Sequence, residues 1–154
     1  IVIIDTPPSL NLFNLSAVYA ADAVVTPVSA EPFDVDSMMY YFEYMVDFNE
    51  NHCAGKDLMF SKIVCTNVKN NSSQDLWQDI LRRALGDGVY ETAIPNSSAV
   101  STAATLMSSI YEPNPKIRVN RNTRKRGLDA ANAFCDELFE DIYATWPKVH
   151  RNYD

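Results

Sequence analysis

Asp5 stands at the end of the uninterrupted run Ile1-Val2-Ile3-Ile4 and is followed at once by Thr6-Pro7-Pro8. A short β-branched run of that kind predicts a strand buried on both faces of a parallel sheet, and the two prolines block its extension. In open α/β sheets, ligands sit beyond the carboxyl ends of the strands, which is where Asp5 falls. A carboxylate placed there can hold Mg2+ on a nucleoside triphosphate, directly or through water. The same residue also suits the start of a simple turn. A second concentration of chemistry lies late in the chain, where Lys116, Arg118, Arg121, Arg124, Lys125 and Arg126 crowd together. Such a strip on an acidic protein suits local binding of a polyanion, and equally a solvated loop leading into a helix. Ser97, Ser98 and Ser101 read as a helix cap and packing residues, because no His or Lys lies nearby in sequence to activate them. Met38-Met39 and Tyr40-Tyr41 read as core. His52 and His150 stand alone, and Cys53, Cys65 and Cys135 have no C-x-x-C spacing. Neither a zinc site nor a disulfide scaffold is expected, and a reducing cytoplasm is the expected compartment.

The elements that position these residues follow from hydropathy period and punctuation. After the strand at 1–4, a helix is expected over 12–20 and a second strand over 23–28, stopped by Pro27 and the stretch 29–32. Asp34 is the expected cap of a helix to about residue 49, with Val35, Met38, Met39, Phe42, Met45 and Val46 inward. A third strand is expected over 59–67. Ser72 with Asp75 resembles a capping box for a helix carrying Leu76, Trp77, Ile80, Leu81 and Ala84, ended by Gly86 and Gly88. A fourth strand over 89–94, a small-residue helix over 97–109 and an amphipathic helix over 123–145 complete the chain. Strand and helix alternate four times, which predicts an α/β fold with a mainly parallel sheet and flanking helices.

Composition agrees. At 154 residues and 47% hydrophobic, the chain can form one domain with a real core, and it is too apolar for a disordered tail. No run approaches the ~20 apolar residues that a membrane-spanning helix needs. Charge is uneven: residues 1–50 carry eight acids and no Lys or Arg, whereas residues 101–154 carry eight basic and seven acidic residues.

Two segments together carry a family resemblance. Residues 1–8, a hydrophobic strand ending in Asp-Thr-Pro-Pro, and residues 20–28, Ala-Ala-Asp-Ala-Val-Val-Thr-Pro-Val, resemble the ParA/MinD superfamily of deviant Walker ATPases, with Glu31-Pro32-Phe33 following. Residues 106–112 and 124–138 are similar to the tail of the larger plasmid-type ParA partition ATPases. The resemblance implies a P-loop NTPase fold using ATP and Mg2+, with Asp5 as the Walker B acid on the Mg2+ shell. It implies that Thr6, Pro7 and Pro8 begin switch II, and that Thr66-Asn67 and Pro95-Asn96 lie beside the adenine. Thr66-Asn67 also suits an ordinary polar strand end. The complete protein would form an ATP-dependent homodimer and bind DNA without sequence preference through Arg118, Arg121, Arg124, Lys125 and Arg126. A ParB-type centromere-binding protein would be its partner, and it would sit on the nucleoid in the cytoplasm.

One required part is missing. Triphosphate binding needs a glycine-rich loop such as G-x-x-x-x-G-K-[ST], and none of Gly55, Gly86, Gly88 or Gly127 opens one. The chain, which opens inside a strand without a methionine, is therefore expected to be the C-terminal portion of a single ATPase domain, inactive alone. A different class also fits: a non-catalytic DNA- or partner-binding module that lacks the phosphate loop. A MinD-like membrane ATPase is disfavoured, because Asp136, Glu137, Glu140 and Asp141 on the last helix would be repelled by anionic lipid. An iron-protein relative would need cluster cysteines that the chain does not contain.

Overall fold

The computed structural model describes residues 1–7, 9, 11–52, 57–69, 71–112 and 120–150, the last five of these as backbone alone. The chain is an α/β protein whose helices flank a parallel pair of strands. Its elements are α1 (Leu12–Ala20), β1 (Ala23–Ser29), α2 (Pro32–His52), β2 (Phe60–Thr66), α3 (Ser72–Leu85), α4 (Ser98–Thr105) and α5 (Arg121–His150), with one 3-10 turn at Gly86–Gly88. β1 and β2 run parallel, from Ala23 opposite Phe60 to Ser29 opposite Thr66. Val28, Val35, Met38, Ile63, Cys65, Leu81 and Val89 form the buried core, with Phe42, Val68, Trp77 and Ala93 against it.

Helix starts are set by side chains and by proline. Asn11 caps α1, its Oδ1 accepting from the amides of Phe13 and Asn14 at 3.0 and 3.1 Å. α2 begins at Pro32, earlier than expected. The Glu31 carbonyl accepts the Asp34 and Val35 amides, and proline suits the first helical position because its missing N–H has no partner to lose. Asp34 therefore sits inside the first turn, where a carboxylate favours the positive helix end. On α2 only Val35 and Met38 are fully buried, while Met39 and Val46 are exposed. Asn71, not Ser72, caps α3, accepting from the Gln74 amide at 2.8 Å. Gly86 ends α3 with a φ of 51°, a conformation that suits glycine. α4 is shorter than expected and is capped by Ser97.

Two expected strands are not strands. Residues 1–4 join no ladder, and Ile1, Val2 and Ile3 are 76, 87 and 88% exposed. A strand exists only where neighbouring backbone accepts its hydrogen bonds, and no described residue pairs with this one. Residues 89–96 run beside β2 without a continuous ladder: the Tyr90 and Ile94 amides donate to the Ile63 and Cys65 carbonyls, and isolated parallel bridges form at Ile63–Val89 and, just past β2, at Val68–Pro95. The reason for the gap lies in α5. Glu137 accepts the amides of Glu91 and Thr92 at 2.9 and 2.8 Å, and the Thr92 hydroxyl as well, drawing the middle of the segment away from β2.

The same face of α5 reaches β2 directly. Lys62 Nζ lies 2.8 Å from Asp141 Oδ1 and 5.2 Å from the centre of the Tyr90 ring. Burial first, and the Asp141 carboxylate second, push the Tyr90 phenol far above its ordinary pKa. Tyr90 also meets the Phe134 ring edge-on at 5.2 Å. Glu137 is thus a strap between the last helix and the sheet. Glu137→Ala should lower the stability of the chain by about 1–2 kcal/mol, because two amides and a hydroxyl lose their acceptor. Denaturant midpoints of the two proteins measure this, with Glu137→Gln retaining part of the stability.

Candidate functional site

The carboxyl ends of β1 and β2 point to one corner of the molecule, and the segments after them are held by side chains. Gln74, fully buried on α3, donates from Nε2 to Glu31 Oε1 at 2.8 Å and accepts the Lys69 amide at 2.6 Å. One glutamine therefore fastens the β2–α3 loop to the β1–α2 corner. Sequence reading missed it, although Asn71-x-x-Gln74 matches the cap-to-N3 spacing of a capping box. Here the glutamine reaches past its own cap to Lys69.

Beside this tie, Asn67 adopts a φ of 55°, in the left-handed region that asparagine tolerates better than most residues. Its Oδ1 accepts from Asn96 Nδ2 at 2.5 Å. The Asn96 amide in turn donates to the Val68 carbonyl at 2.8 Å, and Pro95 bridges to Val68. Thr66 turns its hydroxyl to the Val28 carbonyl at 3.4 Å. Thr66, Asn67, Pro95 and Asn96, 29 positions apart at their asparagines, are brought to one place.

Part of the basic strip arrives at the same corner. Arg126 Nη2 lies 3.5 Å from the Asn96 carbonyl. Gly127 lets α5 approach closely, since a Cβ there would stand 3.0 Å from Ile110 Cδ1 and 3.2 Å from Ser97 Oγ. Arg124 is used internally: its guanidinium donates to the Ile110 carbonyl at 3.1 and 3.2 Å and to the Glu112 carbonyl at 3.2 Å. Lys125 pairs with Asp129 at 3.0 Å on the surface, and Arg121 is exposed. Arg118 lies outside the described residues.

Asp5 and Thr6 are exposed, and no contact among the described residues joins them to the Asn67–Asn96 corner. A carboxylate left open in this way suits Mg2+ bound through water. The loops at 66–67 and 95–96 suit the base side of a nucleotide, with two amide side chains and a backbone turn available for hydrogen bonds. None of the glycines in these 154 residues opens a G-x-x-x-x-G-K-[ST] loop. Among the described residues no cluster of three or more His, Cys, Asp or Glu could hold a metal, and no helix is long and apolar enough to cross a membrane.

Comparison with known proteins gives a consistent answer. The model of a family described as an AAA domain matches residues 1–59, the stretch that holds Asp5 and Thr6. The protein SopA of Escherichia coli K12 is 25% identical over 144 residues, covering 92% of this chain and 37% of SopA. The chromosome partitioning protein ParA of Caulobacter vibrioides is 29% identical over 105 residues, covering 68% of this chain and 39% of that protein. The sporulation initiation inhibitor protein Soj of Bacillus subtilis is 29% identical over 119 residues, covering 76% of this chain and 46% of Soj. These likenesses support membership of the ParA/MinD-type P-loop ATPases of the partition family. The ParA/MinD-type likeness is at low identity throughout, and the chain spans little more than a third of SopA. The Asn67–Asn96 corner and the basic start of α5 lie beyond the part that the AAA-domain model matches.

Proposed function

We propose that these residues are the C-terminal portion of a ParA-type partition ATPase domain. In the longer protein, ATP with Mg2+ supplies the phosphoryl chemistry, and Asp5 holds the water shell of the metal. Thr6 and Pro7 begin the segment that senses the terminal phosphate, and Thr66, Asn67, Pro95 and Asn96 flank the base. Nucleotide binding makes a homodimer, which binds DNA without sequence preference through the basic strip and responds to a ParB-type centromere-binding partner on the nucleoid. The observation that carries this reading is the Asn67–Asn96 corner. It lies beyond the carboxyl ends of parallel strands, where α/β sheets take their ligands.

The test is a pair of hydrolysis assays. The longer protein, including a glycine-rich phosphate loop, should release phosphate from ATP, whereas residues 1–154 alone should release none above a no-protein control. Steady release by the isolated 154-residue chain would sink the proposal, since the phosphate cradle would then be unnecessary.

A further inference from the structure

The carbonyls of Pro7 and Ser9, just after Asp5, are tied to α1 by one amide. Asn14, in the first turn of α1 and only 5% exposed, donates from Nδ2 to the Pro7 carbonyl at 2.7 Å and to the Ser9 carbonyl at 2.5 Å. The Pro7 carbonyl also accepts the Ser9 amide at 2.8 Å, and Asn11 Nδ2 steadies the Ser9 hydroxyl at 2.7 Å. Both protons of one amide are therefore spent on two carbonyls of one turn. Asn14 Oδ1, meanwhile, is buried with no hydrogen-bond partner. A buried acceptor without a donor is destabilising, so stability alone does not account for an asparagine here. What the amide does supply is a tie from α1 to the Pro7 and Ser9 carbonyls, close behind Asp5.

We propose that Asn14 is a positioning residue that holds the Thr6–Pro7 backbone in place behind Asp5, so that the metal-side carboxylate and the phosphate-sensing segment keep one geometry. This rests on the nucleotide reading given above. Asparagine is the only residue with two donors on a stem this short. Aspartate has the same shape and no donor, and its carboxylate would face two carbonyl oxygens.

Two arms test it. In the longer protein, Asn14→Ala should lower kcat for ATP hydrolysis about tenfold, the scale expected for two lost hydrogen bonds, with nucleotide Kd changed less than about twofold. Asn14→Asp should be equally impaired at pH 8 and regain activity toward pH 6. Burial and the facing carbonyls raise its carboxyl pKa, and the protonated acid can donate one hydrogen bond. The ionisable neighbours are Asp5, just before the turn, and His52, which lines a groove with Leu12, Leu15 and Ser16 of α1, and the wild-type profile is the reference for both. The difference between the two profiles belongs to position 14. A wild-type kcat in Asn14→Ala, or an Asn14→Asp profile parallel to wild type, overturns the proposal. The second arm uses residues 1–154 and stands even if the longer protein hydrolyses nothing, an outcome that would sink the nucleotide reading instead. There, Asn14→Ala should speed hydrogen exchange of the Ser9 amide at least about fivefold while β2 amides keep their rates. An unchanged Ser9 rate overturns the positioning role.

Discussion

ATP hydrolysis by the longer partition protein should be lost when Asp5 is replaced by alanine. The carboxylate is exposed and bonds to no other described residue, so its removal should change the stability of the fold by less than about 0.5 kcal/mol. Its effect is confined to what it holds. A negative group that orients the water shell of Mg2+ contributes several kcal/mol of charge stabilisation to phosphoryl transfer, and its loss corresponds to a hundredfold or more in rate. Asp5→Asn separates charge from shape: it keeps the side-chain volume and one acceptor but not the charge, and it should fall nearly as far. Phosphate release at saturating ATP and Mg2+ measures both variants, and melting curves show whether the fold has survived. Hydrolysis above half the wild-type rate in Asp5→Ala would remove Asp5 from the metal site.

The parts of the fold that were legible in the sequence are those whose partners are near in sequence or uniform in chemistry. β1 and β2 were found within a residue because runs such as Ala-Val-Val-Thr and Lys-Ile-Val-Cys leave little alternative between Gly, Pro and Asp punctuation. The fourth strand was misread because its fate depends on Glu137, 45 residues away, whose carboxylate takes the amides that a ladder would use. Residues 1–4 carry a strong β signal with no described neighbour to satisfy it. Propensity alone makes no ladder. At the candidate site, the family resemblance pointed to Asn67 and Asn96, but the bond between them is a product of topology. Gln74 and Asn14 went unread because a buried amide is recognised by its partners, and both find them across turns rather than along a helix.

The basic strip separates into roles that sequence alone gives no means to tell apart, and this decides how DNA binding should respond. Arg124 is a clasp on the Ile110 and Glu112 carbonyls, so changing it would loosen the entry to α5 as well as remove charge. Arg121, Lys125 and Arg126 are exposed, and Lys125 and Arg126 make only surface contacts, to Asp129 and the Asn96 carbonyl. All three lie in the first two turns of α5, which has no acid in its first turn. Arg121 stands in the first turn, where a cation opposes the positive end of the helix dipole at about 0.3–1 kcal/mol, a cost that an anion docked beside it would offset. If that anion is a DNA phosphate, each contact lowers log K by about 0.9 per log unit of salt. Changing Arg121, Lys125 and Arg126 together to Glu, in the longer ATP-bound protein, should therefore weaken binding to every DNA sequence alike. The salt slope should become shallower by up to about three units, one for each phosphate contact removed. ATP affinity should hold if Asn96 keeps its bonds to Asn67 and Val68, since Arg126 touches only its carbonyl. Fluorescence anisotropy with two unrelated duplexes across a salt series reads slope and sequence dependence together. A triple variant whose slope matches wild type would place the DNA contacts elsewhere, leaving Arg121, Lys125 and Arg126 as a solvated helix start.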